Sequence, residues 1–177
     1  AVFANGYVKN KVMEFVGPGV ASMDTDYRNG VDVMTTETTC LSSIWRTDED
    51  TKAYLALHKR ADAYRELNPA AIAYYDGVVK VDLSAIKPMI ALPFHPSNTY
   101  TVKELLASPK EILSEVEENA KKQFSDPMLD LGLCAKIDSL GIKVSQGVIA
   151  GCAGGNYDNL IAALEVLNGK NIGATDI

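Results

Sequence analysis

The sequence predicts an α/β fold in which helices alternate with short apolar strands that pair mainly in parallel. Two observations favour this class. Segments with helical periodicity follow short apolar runs along most of the chain, and no internal repeat or low-complexity tract interrupts them. The chain has 177 residues, of which 47% are hydrophobic, enough to bury one domain core or slightly more.

The first third of the chain alternates loop, helix, strand and helix. A break follows Phe15, where the glycines and proline of "GPG" form a loop. Ser22 is the expected cap of a short helix after this loop. Residues 35–45 are rich in threonine and other small residues, which favours a strand. Residues 46–67 predict a longer helix, because Thr47 can cap it and apolar residues recur at helical spacing.

The middle of the chain is predicted to contain two strands and a strong helix. Residues 75–86 alternate apolar and polar side chains, and residues 88–94 form an apolar run, so both are expected to be strands. A polar cluster at residues 97–99 marks a candidate boundary. The helix begins after Ser108, its expected cap, with Pro109 in the first helical position. Its predicted inward-facing residues are Leu113, Val116 and Ala120.

Near the end of the chain, a lone cysteine lies on a glycine-rich turn between a predicted strand, residues 142–152, and a helix that ends at Gly169. The turn occupies residues 151–156, beginning at Gly151 and ending at Asn156. Helix N-termini expose unsatisfied amides, and glycines let a ligand approach the backbone. Cys152 could therefore be a nucleophile or metal ligand, the turn could hold a phosphate, or the thiol could be a small buried group in a tight turn.

The composition disfavours several classes of partner. Net charge is −6 and like charges form no block, so nucleic acid, which binds clustered Lys and Arg, is not expected. No apolar run has membrane-spanning length, so a soluble protein is expected. The cysteines lie far apart without a Cys-x-x-Cys spacing, which argues against structural zinc and fits a reducing, cytoplasmic setting. The histidines, His58 and His95, are too few for a histidine-rich metal site.

The segment "VIAGCAGGNYDNLIAALEVLNGK" resembles the part of aconitase and isopropylmalate isomerase-like hydro-lyases that supplies the first iron–sulfur ligand. In that family a strand ends in Gly-Ser-Cys-Thr-Asn and an Ala-rich helix follows. Gly151, Cys152, Tyr157 and Asp158 fit this pattern. Residues 153–154, Ala-Gly, depart from it, because the family has polar Thr-Asn there.

Three other segments resemble the same family in the same order. "KVMEFVGPGVASM" is similar to its "EF-G-G" segment, and "VMTTETTCLSS" is similar to the segment that bears an active-site glutamate, here Glu37. Val33 stands where the family often has asparagine. "VDLSAIKPMIALPFHPSNTYTV" resembles the stretch that joins two consecutive domains. Residues 105–140 match no part of the family pattern and are expected to be an insertion.

The resemblance implies a three-layer α/β/α fold of the aconitase central-domain type, with a mainly parallel sheet. It implies that residues 1–94 are the second domain of a longer enzyme and that residues 95–177 are a linker and the start of its third. The family holds a [4Fe-4S] cluster with three cysteines, two of them from a Cys-x-x-Cys that this sequence lacks. The chain is therefore expected to be a central fragment, without a cluster or activity of its own.

The function implied for the parent protein is the addition or removal of water on a small hydroxy-polycarboxylate. Cys152 would bind iron there, and Glu37 would act as a carboxylate partner in departure of the hydroxyl. The expected partners are this substrate and the remaining domains of the parent chain, with neither nucleic acid nor a membrane. Two alternatives are a non-enzymatic module that binds a small anion at residues 151–156 and a packing domain without a ligand.

The remaining chemically active side chains are expected to have structural roles. His95 would order its proline-flanked loop, and His58 would pack on a helix or be half-exposed. Cys40 and Cys134 are expected to be core residues rather than ligands. Trp45 is expected to pack, with its indole N–H bonded to a partner.

Overall fold

A computed structural model describes residues 6–170. The helices are α1 (Thr25–Met34), α2 (Glu49–Leu57), α3 (Val102–Ala107), α4 (Pro109–Gln123), α5 (Gly151–Gly154) and α6 (Tyr157–Leu167). The strands are β1 (Val12–Phe15), β2 (Ser42–Trp45), β3 (Met89–Ala91), β4 (Thr99–Thr101), β5 (Ile137–Asp138) and β6 (Gly141–Ile142). Within this part of the chain, no helix is both long and apolar enough to cross a bilayer.

The chain divides into two compact units. Among the described residues, the first contains residues 6–79 together with residues 148–170, so its last helices come from a distant part of the sequence. The second contains residues 80–147. These units are defined by packing within this chain, whereas the predicted division at residues 94 and 95 concerns the domains of a longer protein and stays a prediction.

The sheet of the first unit is a parallel pair, β1 with β2, in which Phe15 lies opposite Trp45. Their rings stack with centroids 4.2 Å apart, which covers the end of the sheet. The indole Nε1 of Trp45 donates to Asp32 of α1 over 3.0 Å, so the sheet is attached to the helix that lies between its two strands in the sequence. The prediction that Trp45 packs and finds a hydrogen-bond partner is confirmed.

The helix caps of the first unit differ from the predicted ones. Asp24, not Ser22, caps α1, because its carboxylate accepts from the Tyr27 amide at 2.6 Å. Asp48, not Thr47, caps α2 and accepts from the Thr51 amide. In both cases the carboxylate is the stronger acceptor for the exposed amides of a helix N-terminus.

The predicted long helix of residues 46–67 is also too long. Helix α2 ends at Leu57, and a 3₁₀ turn at Ala61–Ala63 follows it. Thr47 lies outside the helix, where its hydroxyl donates to the Arg65 carbonyl and accepts from the Leu67 amide. His58 therefore follows the helix end and is exposed, and its ring packs on that of Tyr54 with centroids 4.3 Å apart.

The second unit contains the best-packed helix, α4. It begins at Pro109 after Ser108, as predicted, although the Ser108 side chain makes no capping hydrogen bond. Its buried residues are Leu113, Val116 and Ala120, which confirms the predicted inward face. Leu105 of α3 completes the buried group. The unit also has two antiparallel strand pairs, β3 with β4 and β5 with β6.

Several predicted strands are wrong. Residues 75–86 contain only a 3₁₀ turn at Leu83–Ala85, residues 143–150 contain no strand, and residues 35–41 form a 3₁₀ turn followed by a loop that precedes β2. A strand requires a partner for its backbone groups, and these segments pair with no strand among the described residues. Helices and small sheets support the α/β class, whereas the three-layer arrangement with a mainly parallel sheet stays a prediction.

Candidate functional site

Cys152 lies in the first turn of α5, a helix of four residues. Ala150 is extended, and Gly151 then turns the chain with a φ of +81°, a conformation that glycine adopts without strain. The Cys152 side chain is exposed. Residues 151–154 thus form a one-turn helix rather than a plain turn, and the strand predicted before them is absent from residues 143–150. The exposed thiol contradicts the alternative of a cysteine buried in a tight turn.

The start of the following helix, α6, is held by a carboxylate from α1. Asp26 accepts through Oδ2 from the Asp158 amide at 3.2 Å, and its backbone carbonyl accepts from Nδ2 of Asn156 at 3.1 Å. Asp26 is buried, with 8% of its surface exposed. Because this negative group already satisfies an amide of α6, the helix N-terminus is a poor place for a small anion.

The short helix α5 packs against the middle of α1. Gly30 faces it so closely that a Cβ there would lie 3.1 Å from the Ala153 carbonyl oxygen. The same carbonyl accepts from Nδ2 of Asn159 over 3.3 Å, which ties α5 to α6. Helix α1 therefore contacts the cysteine turn, residues 151–156, at two places, through Asp26 and through Gly30.

A second group of α1 residues contacts α2. Arg28, 3% exposed, makes a two-pronged ion pair with Asp48 at 2.7 and 3.1 Å and also donates to the Val20 carbonyl. The Arg28 hydrogen bond holds the pKa of Asp48 below its usual value. Thr25 donates to Asp50 of the same helix. These bonds attach α1 to the start of α2.

Glu37 lies on the 3₁₀ turn Thr35–Thr38, directly after α1, and is exposed. Threonine hydroxyls stabilise this turn: Thr35 donates to the Asp32 carbonyl and Thr38 to the Thr35 carbonyl, each at 2.6 Å. Among the described residues no hydrogen bond joins Glu37 to Cys152. Both predicted site residues are therefore connected to α1. Glu37 follows α1 directly in the chain, and Cys152 lies on α5, which packs against α1.

The three free cysteines lie in different surroundings. No group of three or more His, Cys, Asp or Glu side chains is arranged to hold a metal within residues 6–170. Cys40 lies near the Thr35 carbonyl, 3.3 Å away, and Cys134 near the Ser114 hydroxyl, also at 3.3 Å. Both are half-buried. Cys152 differs from them because its side chain is exposed.

Sequence reasoning missed Asp26 and Gly30. Asp26 belongs to the acidic start of α1, where it reads as an ordinary helix-favouring residue. Its partners, Asn156 and Asp158, lie 130 and 132 positions further on. No local pattern in a single sequence signals such a contact.

Comparison with known proteins gives the class of this chain. The sequence profile of the aconitase family (aconitate hydratase) matches residues 1–175. The chain therefore belongs to the aconitase family, as the order of its four motifs predicted.

Among individual relatives, the chain is similar to the large subunit of 3-isopropylmalate dehydratase from Acetivibrio thermocellus, with 30% identity over 161 residues. It is 28% identical to the large subunit of 2,3-dimethylmalate dehydratase from Eubacterium barkeri over 160 residues. It is also 30% identical to large subunit 2 of 3-isopropylmalate dehydratase from Rubrobacter xylanophilus over 166 residues. These alignments cover 90–92% of this chain but about 30% of each relative.

Proposed function

We propose that this chain is the central part of a hydro-lyase that adds or removes water on a small hydroxy-polycarboxylate. Residues 1–94 would form the second domain of that enzyme, and residues 95–177 a linker and the beginning of the third. In the complete enzyme the strands would join a mainly parallel sheet of a three-layer fold. The family match over residues 1–175 carries this proposal, and the dehydratase relatives support it.

Cys152 is the residue that would bind the family's [4Fe-4S] cluster. Its exposure and its place on a turn braced by α1 support this role. When bound, such a cluster supplies a Lewis-acidic iron that helps a hydroxyl group leave. The other two thiolates would come from parts of the enzyme outside this sequence, so the isolated chain is expected to hold no complete cluster.

Glu37 would transfer protons to and from the reacting hydroxyl group of the substrate. Its carboxylate is exposed at the end of α1, so a substrate can reach it. In its protonated form, a carboxyl group in this position can give a proton to the departing hydroxyl, and as a carboxylate it can take one from water in the reverse direction. The residues that grip the carboxylates of the substrate are expected outside this chain, which is therefore expected to be inactive alone.

The expected partners follow from the same assignment. The remaining domains of the parent chain would surround the cysteine turn, and the relatives' description as large subunits favours a smaller companion subunit. We place the enzyme in the cytoplasm, and we expect neither nucleic acid nor a membrane surface among its partners. The anion-binding alternative is not retained, because Asp26 already occupies the start of α6.

Anaerobic iron–sulfur reconstitution of the longer protein tests the proposal. The parent protein should become brown, and Cys152→Ser should lose most of its visible absorption and bound iron, because a cluster with an open iron needs all three thiolates. Cys134→Ser is the matched control and should keep both. Glu37→Gln should keep the cluster and lose hydratase activity. A colourless parent protein, or equal iron in the Cys152→Ser and unchanged proteins, would contradict the proposal.

A further inference from the structure

We propose that Asp26 is a positioning residue for Cys152: its buried carboxylate fixes the start of α6 and thereby the orientation of the thiol-bearing helix α5. This inference rests on the proposed iron-binding role of Cys152. Asp26 lies on α1, far from Cys152 in the sequence, and in this proposal it determines the direction of the Cys152 sulfur atom.

The first step is that α6 lacks a cap of its own. Its N-cap residue, Asn156, makes no side-chain bond to the helix amides. Instead the Asn156 side chain donates to the Asp26 carbonyl, and the Asp26 carboxylate accepts from the Asp158 amide. A single residue of α1 thus provides both the cap and the anchor at this end of α6.

The second step is that α5 cannot orient itself. A helix of four residues is far below the length at which helices are stable alone, and Ala150 provides no side-chain cap. Its orientation therefore depends on its contacts with α1 and α6. Cys152 is only four positions before Asn156, so the anchor at Asn156 and the contact at Gly30 limit the directions that its thiol can take.

The third step is burial. Asp26 is 8% exposed, and a hydrogen bond from an amide to a shielded carboxylate is stronger than a neutral one. Removal of the carboxylate would leave the Asp158 amide without its acceptor. The start of α6 should then open more often, and α5 should move with it.

A spin label on Cys152 tests the inference directly. The 177-residue chain carries Cys40→Ser and Cys134→Ser, so that Cys152 is its one remaining cysteine and a nitroxide reacts only there. In Asp26→Ala the electron paramagnetic resonance spectrum should sharpen, because the label moves more freely. Amide exchange over residues 157–160 should accelerate about tenfold, the effect of losing one hydrogen bond to a charged group.

Asp24→Ala is the matched control, because Asp24 also caps a helix and lies two positions earlier, but among the described residues its side chain accepts from the Tyr27 amide of α1 and not from α6. It should leave the label spectrum and the exchange of residues 157–160 unchanged. Asp26→Asn retains an acceptor oxygen and should restore part of the protection. An unchanged spectrum in Asp26→Ala, or an equal change in Asp24→Ala, would overturn the inference.

If Asp26→Ala does not fold, the Asp26→Asn variant decides alone. An intermediate gain in label mobility in this variant supports the inference, and an unchanged label mobility overturns it. The measurement contains no iron, so its outcome is independent of the reconstitution experiment. A colourless parent protein would remove the iron-binding role of Cys152 and leave the Asp26 contact intact. An immobile label in every variant would remove the role of Asp26 and leave the proposed function intact.

Discussion

Helix α1 makes two contacts of different kinds. Toward α2 it uses a charged pair, Arg28 with Asp48, whose members lie 20 positions apart. Toward α5 and α6 it uses Asp26 and Gly30, which contact backbone groups more than 120 positions away, and no ion pair involves Asp26 among residues 6–170. The first contact forms within a short chain segment, whereas the contact that positions the candidate site depends on the distant end of the chain and on close approach of two backbones.

The largest expected effect is on the charged contact. Arg28→Ala removes a buried guanidinium, so the Val20 carbonyl loses this donor. The Asp48 carboxylate keeps its bonds from Thr51 but loses its ion pair. Breaking such a pair costs about 3 kcal/mol of unfolding free energy. Urea denaturation followed by circular dichroism measures the loss, and hydrogen exchange should assign it to α1 and α2 first.

Lys52→Ala is the control for this variant. Lys52 pairs with Glu49 on the same helix, but both side chains are more than half exposed. Its removal should cost less than about 0.5 kcal/mol. Equal losses in the two variants would show that burial adds nothing to the Arg28 contact.

A smaller effect is expected from acid. The Arg28 hydrogen bond lowers the pKa of Asp48 below the ordinary value of 3.8. A carboxylate with a lowered folded-state pKa stabilises the protein above its unfolded-state pKa, and this stability is lost as pH falls through the folded-state value. Unfolding free energy should therefore decline as pH drops through and below 3.8. Asp48→Asn should be less stable at neutral pH and show a shallower decline; parallel pH curves would contradict this cause.

The smallest effect is expected at the backbone contact. Glycine-to-alanine changes inside helices usually stabilise by about 0.5–1 kcal/mol. At Gly30 the new Cβ would lie 3.1 Å from the Ala153 carbonyl oxygen, so α5 must shift and the usual gain should be cancelled. Amide exchange in α5 should rise while that of α2 is unchanged. A full gain in unfolding free energy would show that α5 is not pressed against α1.

Helices with strong local signals could be predicted from the sequence. Helix α4 begins after Ser108 and buries Val116, as its periodicity and its proline indicate. Helix α6 ends just before Gly169, whose φ of +70° suits a helix terminus. Both signals lie within a few residues of the element that they define, so distant contacts do not override them.

Strands and caps were less predictable, because they depend on partners. Residues 75–86 have the alternation of a strand but pair with no strand among the described residues. The caps at Asp24 and Asp48 were displaced by one or two residues from the predicted ones, since an adjacent carboxylate competes with serine or threonine. Such competition is decided by geometry that one-dimensional spacing does not contain.

Half of the candidate site was predictable for a similar reason. The glycines among residues 151–155 are a local signal of a bend in the chain, and Cys152 lies among them as an exposed thiol. Its support by Asp26 bridges 130 positions and has no local signature. The iron role of Cys152 and the proton role of Glu37 stay predictions.

The aromatic stack at the end of the parallel strands has a practical consequence. Trp45 is the only tryptophan of the sequence, and it is stacked on Phe15 and bonded to α1 through Asp32. Its intrinsic fluorescence therefore reports on the first unit alone. A shift of the emission to longer wavelength would time the opening of that unit, with no added dye and no signal from residues 80–147.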